Sequence, residues 1–249
     1  MTILDIPSAL ESSEIHPGDI LFIHGDSIVA AQLQVSSKNR VKSFFEAVIK
    51  YLGKDGTLVI PSFTYSFTKN QPFDVDRTKS SLGSFSETFR KMDQVKRSRQ
   101  PIFSFCALGK YANLFCESDI TDCFGELSGF GLLHSLNAKL MNMACPFEQT
   151  FLHYVEQAMK VDYRYFKNFS GVITQGNTNT FLDTRYFVGD QNVNYEMDLS
   201  QLKNLLLSRQ MISIVPFGRF AAYTTSSQNF YNCSAELLRK NSLALIKEE

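Results

Sequence analysis

Residues 17–24 read P-G-D-I-L-F-I-H, residues 41–53 read V-K-S-F-F-E-A-V-I-K-Y-L-G, and residues 55–63 read D-G-T-L-V-I-P-S-F. The first and last are short apolar runs entered through turn dipeptides, the pattern of buried strands. Between them Val41, Phe44, Phe45, Val48, Ile49 and Leu52 recur at threes and fours. That is a helical period, and Gly53 stands where a helix stops. Strand, helix, strand in succession predicts an α/β fold.

Outward from this unit, residues 74–79 are polar and predict loop, 82–92 a helix that runs into the basic residues Lys91, Lys96, Arg97 and Arg99, and 102–108 a strand. A Gly-rich stretch precedes a short helix at 132–137, and 140–144 predicts another strand. Pro146 suits the first turn of a helix. From there Phe147, Phe151, Leu152, Val155 and Met159 form an apolar stripe, with Gln149, His153, Glu156 and Lys160 on another face. After Gly171 the pattern alternates like antiparallel strands, followed by a helix at 202–207, a strand at 212–215 and a helix at 235–246. The whole is a mixed central β-sheet flanked by helices, with an antiparallel-rich C-terminal part. It reads as one domain over 1–249, with 171–249 a candidate subdomain.

Composition narrows the function classes. Lys plus Arg and Asp plus Glu number 25 each, so there is no net basic footprint for nucleic acid. Five cysteines at irregular spacings, without C-x-x-C, suggest neither a disulfide framework nor a zinc site, and no metal is expected. The beginning, M-T-I-L-D-I-P-S, has neither a basic nor a long apolar region, and no apolar run approaches a membrane span, so a cytoplasmic protein is expected.

Four histidines, His16, His24, His134 and His153, are the candidate bases near neutral pH. His24 ends a predicted buried strand, where α/β folds place ligands. His153 has Glu156 three residues on, a spacing that lets a carboxylate hold an imidazole on one helix face. The same spacing also fits an ordinary solvated surface pair. In G-E-L-S-G-F-G (125–131), Ser128 and Gly129 could bring backbone N–H groups to a phosphate, or simply form a turn.

Five segments in order are similar to the aminoglycoside 3-N-acetyltransferase family. They are I-L-F-I-H-G-D (20–26), G-T-L-V-I-P-S-F-T-Y (56–65), R-S-R-Q-P-I-F-S-F-C-A-L-G (97–109), C-F-G-E-L-S-G-F-G (123–131) and T-F-L-H-Y-V-E-Q (150–157). The resemblance implies an acyl-coenzyme A donor and an amino-sugar acceptor. It implies a catalytic role for His153 and Glu156, with Ser104 matching a serine of the third segment and placed as an oxyanion donor. His24 and Asp26 fall at the strand end near the site. Tyr65, Phe103, Arg97 and Arg164 complete the expected acceptor contacts, and Ser62, Ser128 and Gly129 the expected contacts to coenzyme A.

Two departures bear on the acceptor. The family often has His where this chain has Gln100, and its drug-modifying members usually have His at Phe103. Together with the forms P-S-F-T-Y-S-F and Y-R-Y-F-K, these favour the branch that acylates amino-dideoxyhexoses linked to a nucleotide diphosphate for surface polysaccharide. The balanced charge and the basic residues near Arg97 and Arg164 lean the same way, because aminoglycosides are polycations that favour acidic sites. An aminoglycoside acceptor is the second reading. A non-catalytic nucleotide-binding scaffold is the third. A homodimer is compatible with all three.

Overall fold

The computed structural model describes residues 4–190 and 195–248. A first helix, α1 (Ile6–Ser12), precedes the turn at Pro17-Gly18-Asp19, where Gly18 has φ +92°. The chain then enters β1 (Ile20–Gly25). Helix α2 (Arg40–Leu52) follows, its last N–H bond running from Gly53, at φ +70°, to the Ile49 carbonyl. Next comes β2 (Thr57–Pro61), parallel to β1.

Beyond them lie β3 (Phe73–Asp74), α3 (Ser84–Arg90), β4 (Lys96–Arg97), β5 (Phe105–Gly109), α4 (Ala112–Cys116), α5 (Gly129–Ser135), β6 (Lys139–Met143) and α6 (Leu152–Met159). The chain continues through β7 (Arg164–Gln175), β8 (Thr178–Gly189), β9 (Tyr195–Met197), α7 (Ser200–Ser208), β10 (Ile212–Phe217), β11 (Phe220–Ser226), α8 (Ser227–Lys240) and β12 (Ile246–Glu248).

Seven strands form the main sheet in the order β10-β11-β6-β1-β2-β5-β4. Its centre, β6-β1-β2, is parallel, and β11, β10, β5 and β4 add antiparallel to either side. Alternate residues of β1 face opposite ways, as strand geometry requires. Ile20 and Phe22 enter one core with Phe105, Phe130, Leu152, Val155 and Phe230, while Leu21 and Ile23 enter the other with Phe44, Phe45, Val48 and Phe85. Helices therefore cover both faces, which is why the central strands read as continuous apolar runs.

A separate three-stranded sheet, β3-β7-β8, is built on the long β7/β8 hairpin, and β9 pairs with β12. Gly171 lies inside β7. Among the described residues no helix is long and apolar enough to cross a membrane, and no group of three or more His, Cys, Asp or Glu could hold a metal.

Several expected boundaries shift. Helix α6 starts at Leu152, not in a turn opened by Pro146, because residues 144–151 are held as a loop by side chains. Asn142 donates to the Pro146 and Glu148 carbonyls and accepts from Gln149 Nε2 at 2.6 Å. Gln149 thus stands outside the helix, and Lys160 is its left-handed cap at φ +54°. Residues 102–104 precede β5 rather than opening it. The last helix runs Ser227–Lys240 instead of 235–246, because the Ser226 hydroxyl caps it by accepting from the Asn229 N–H.

Candidate active site

The parallel strands β6, β1 and β2 bring their carboxyl ends to one edge of the sheet, the edge at which open α/β sheets place ligands. His24 and Gly25 stand there on the central strand, with Asn142 and Met143 beside them on β6. The loop after β6 folds back over this edge. Its Cys145 Sγ donates to the His24 carbonyl at 3.6 Å, and the loop delivers α6.

On α6, Leu152, Tyr154 and Val155 are buried while His153 turns its side chain, 15% exposed, the other way. Its Nδ1 lies 2.6 Å from Glu156 Oε2. Glu156 is 1% exposed and has three partners. Besides His153, the Tyr163 hydroxyl donates to Oε1 at 2.9 Å, and Arg164 Nε sits 2.8 Å from Oε2 as an ion pair, not aligned as a hydrogen bond. Tyr163 and Arg164 arrive at the start of β7, and Arg164 Nη1 is anchored on the Phe187 carbonyl of β8 at 3.2 Å. The edge of the Phe124 ring packs against the imidazole at 5.5 Å.

The electrostatics follow from these contacts. Burial pushes the Glu156 pKa up, but the His153, Arg164 and Tyr163 partners outweigh it and hold the carboxyl below its ordinary value. Burial, helped by the Arg164 charge, holds His153 below its ordinary value against the opposing pull of Glu156. The imidazole is therefore neutral near pH 7. With Nδ1–H donated to Glu156, Nε2 carries the free lone pair. Such an imidazole can accept a proton from a bound amine.

His24 is buried at Nε2 without a hydrogen-bond partner among the described residues, and burial lowers its pKa to about 4. It shares a cavity of about 210 Å³ with Phe63, Tyr65, Cys145 and Thr150, so the first strand, the segment after β2 and the approach to α6 meet around one space. Tyr65, at φ +56°, borders it with its ring edge-on to Phe63 and Phe103. Asp26 is exposed beside this edge, and its carboxylate caps the next turn by accepting from the Ile28 N–H at 2.8 Å.

Other expected residues serve the fold. Ser104 is fully buried and donates its proton to the Ser62 carbonyl at 2.5 Å while accepting from Arg97 Nε. It has no hydrogen left for an oxyanion. Arg97 gives its remaining bonds to the Ser62, Val75 and Thr78 carbonyls and stacks on Phe73. Ser62 is wholly buried between β2 and β5.

The Ser128 hydroxyl accepts from the Gly131 N–H as the cap of α5, and a Cβ on Gly129 would lie 2.1 Å from the Phe105 ring. The Gly-rich loop is thus explained by packing. Gln100 is also interior. Its Oε1 accepts from the Ile102 and Phe103 N–H groups, and its Nε2 donates to Thr184 Oγ1. Phe103 is 2% exposed within rings that include Phe63, Phe124, Phe130 and Tyr186.

The thiols offer no alternative nucleophile. Burial lifts Cys106 to about 11 and raises Cys145 as well, so neither is a thiolate near neutrality. In the sequence Tyr163 stands only as the head of the basic and aromatic run Y-R-Y-F-K and Gln149 only on a polar helix face. The bond of Tyr163 to Glu156 and that of Gln149 to Asn142 were missed, because no local pattern marks them.

A mixed sheet with a His–Glu pair beside the carboxyl ends of its parallel strands is an enzyme-like α/β scaffold. Residues 31–239 match the antibiotic N-acetyltransferase family, described as aminoglycoside 3-N-acetyltransferase, and the chain belongs to that family. A curated relative, aminoglycoside N(3)-acetyltransferase IV of Salmonella sp, is 29% identical over 153 residues, 60% of this chain. The match spans only 56% of that relative's length.

Solved structures share the fold. The aminoglycoside acetyltransferase AAC(3)-IVa apoenzyme is 21% identical with a TM-score of 0.77, covering 97% of this chain and 89% of its own. The YokD protein from Bacillus subtilis is 16% identical with a TM-score of 0.78, covering 95% and 93%. AAC-IIIb, solved as a binary complex with CoASH, is 17% identical with a TM-score of 0.79, covering 94% and 95%.

Proposed function

We propose that the protein transfers an acyl group from a coenzyme A thioester to an amine of an aminoglycoside-type amino sugar, with His153 as general base. The observation that carries this is the 2.6 Å contact between His153 Nδ1 and Glu156 Oε2, in a chain belonging to a family described by that transfer. The amine arrives mostly as an ammonium ion and must lose a proton to attack. His153 Nε2 takes the proton, and Glu156 fixes the tautomer and stabilises the imidazolium. The neutral amine then attacks the thioester carbonyl, the C–N bond forms and the C–S bond breaks; the second proton lost by the nitrogen goes to the departing sulfur, so coenzyme A leaves as the thiol. General-base assistance contributes about 10²–10⁴ in rate, and holding the two substrates together contributes much of the rest.

The acceptor differs from the one favoured by the sequence. Of the grounds for that preference, the two departures, Gln100 and Phe103, are interior residues committed to packing and loop geometry, and Arg97 spends its bonds on the fold. The curated relative is an aminoglycoside acetyltransferase. A nucleotide-linked amino sugar stays as a second reading on one observation: the cavity bordered by His24, Tyr65 and Thr150 has no carboxylate in its lining to greet a polycation.

Thiol release from acetyl-coenzyme A, measured with a kanamycin-type drug and with a nucleotide-linked amino sugar, tests both. Turnover with the drug that disappears in His153→Asn is the expected result. Release with the nucleotide sugar alone transfers the assignment to the second acceptor. Binding with no thiol release under either pairing returns the chain to a non-catalytic nucleotide-binding scaffold.

A further inference from the structure

A cavity of about 620 Å³ lies at the opposite side of β2 from β6, where β4 forms the edge of the main sheet, and it shares no lining residue with the space around His24. Four cations line it, Arg90, Lys96, Arg97 and Arg99, against two carboxylates, Asp76 and Glu117. Their states differ. Arg90 is neutralised by Glu87 at 2.8 Å. Arg97 gives its bonds to carbonyls and to the Ser104 hydroxyl, and no carboxylate among the described residues lies within ion-pair distance of it, although Glu87 and Asp74 act on it from farther off. Lys96 reaches the neutral side-chain oxygen of Asn113. Arg99 Nε is buried with no hydrogen-bond partner among the described residues. A buried guanidinium N–H left unsatisfied costs free energy that a bound acceptor would recover.

We infer that this cavity is a binding site for a phosphate or diphosphate group, held by Arg99 and Lys96 in the positive field of Arg97. Guanidinium and ammonium groups converging on one space are the donors that phosphate oxygens take, Arg through its planar fork and Lys as a point charge. The volume exceeds what an inorganic anion needs and falls within the range of small-molecule sites, so it has room for a group attached to the phosphate. Val75, Val95 and the half-buried Cys116 supply apolar wall for such a group. Two sources share this chemistry: the diphosphate of coenzyme A and that of a nucleoside diphosphate.

Calorimetric titration of the whole protein with pyrophosphate tests the site without reference to turnover, so its failure and a failure of the acyl-transfer reading are separate results. Pyrophosphate should bind the native protein and bind Arg99→Gln about tenfold more weakly, the loss expected for one or two charge-assisted hydrogen bonds. Lys96→Gln should weaken it less. The melting temperature of Arg99→Gln should equal that of the native protein, because Arg99 Nε makes no hydrogen bond among the described residues. Coenzyme A and uridine diphosphate then serve as competitors, and the one that displaces pyrophosphate and loses affinity in Arg99→Gln names the source. No heat with pyrophosphate on the native protein, or equal affinity in Arg99→Gln, overturns the site.

Discussion

Glu156 is a carboxylate held almost out of water by three groups, and its two neighbours have opposite demands on it. His153 needs it as an acceptor, while Arg164, with 8% of its side chain exposed, needs it as a counter-charge. Removing one member of a buried pair strands the other, so Glu156→Ala should cost about 3–5 kcal/mol in a denaturant titration. His153→Asn should leave the unfolding midpoint nearly unchanged and cut kcat at least about a hundredfold. Because burial and the Arg164 charge depress His153, the acid limb of the kcat/KM profile should fall below the usual histidine value of about 6.5. Arg164→Met should move that limb upward, since a nearby cation that opposes protonation is gone. His24 acts on stability instead. As pH falls from 6.5 toward about 4, the unfolded chain takes a proton at this position that the folded chain refuses. Stability should therefore fall across that window by on the order of 3 kcal/mol, and His24→Gln should flatten the fall seen in melting temperature against pH.

At the level of elements, β1 and β2 were legible because their apolar residues are buried on both faces of the sheet, which leaves an unbroken apolar run, and α2 because it buries one face, Phe44, Phe45, Val48 and Leu52, which leaves a clear helical period. Helix α6 was legible in its middle but not at its start, since the loop 144–151 is fixed by Asn142 and Gln149 across the chain and not by local propensity. Helix α8 begins with S-Q-N-F-Y-N-C, polar enough to read as a turn until the Ser226 cap is seen. The site followed the same rule. His153 and Glu156 stand one helical turn apart and were readable, whereas the binding of Tyr163 and Arg164 to the same carboxylate depends on how β7 leaves α6. Ser128 and Gly129 were read as ligand contacts because a Gly-rich loop before a helix has that use elsewhere. Here the Phe105 ring fills the space a Cβ would need. Gly129→Ala should therefore lower the melting temperature, at a cost of about 1–3 kcal/mol, with no selective rise in KM for the thioester.

For the molecule as a whole, Arg97 joins two sheets. Its guanidinium bonds the Ser62 and Ser104 positions at the main sheet and the Val75 and Thr78 carbonyls around β3, which pairs with β7. Arg97→Met should cost more than about 2 kcal/mol in equilibrium unfolding by loss of these charge-assisted bonds, while kcat measured on the folded fraction should hold within about twofold. The sheet order has a further consequence for the chain as it is made. Once residues 139–143 are made, β6 has a partner in β1, yet its other edge is closed only by β11, through pairs from Lys139–Ser226 to Met143–Ala222. Until residues 222–226 are made, that edge of a strand in the middle of the sheet has no strand to pair with, the exposure that invites edge-to-edge association. The proposed catalytic pair, His153 and Glu156, is thus made well before the strand that closes the sheet beside β6.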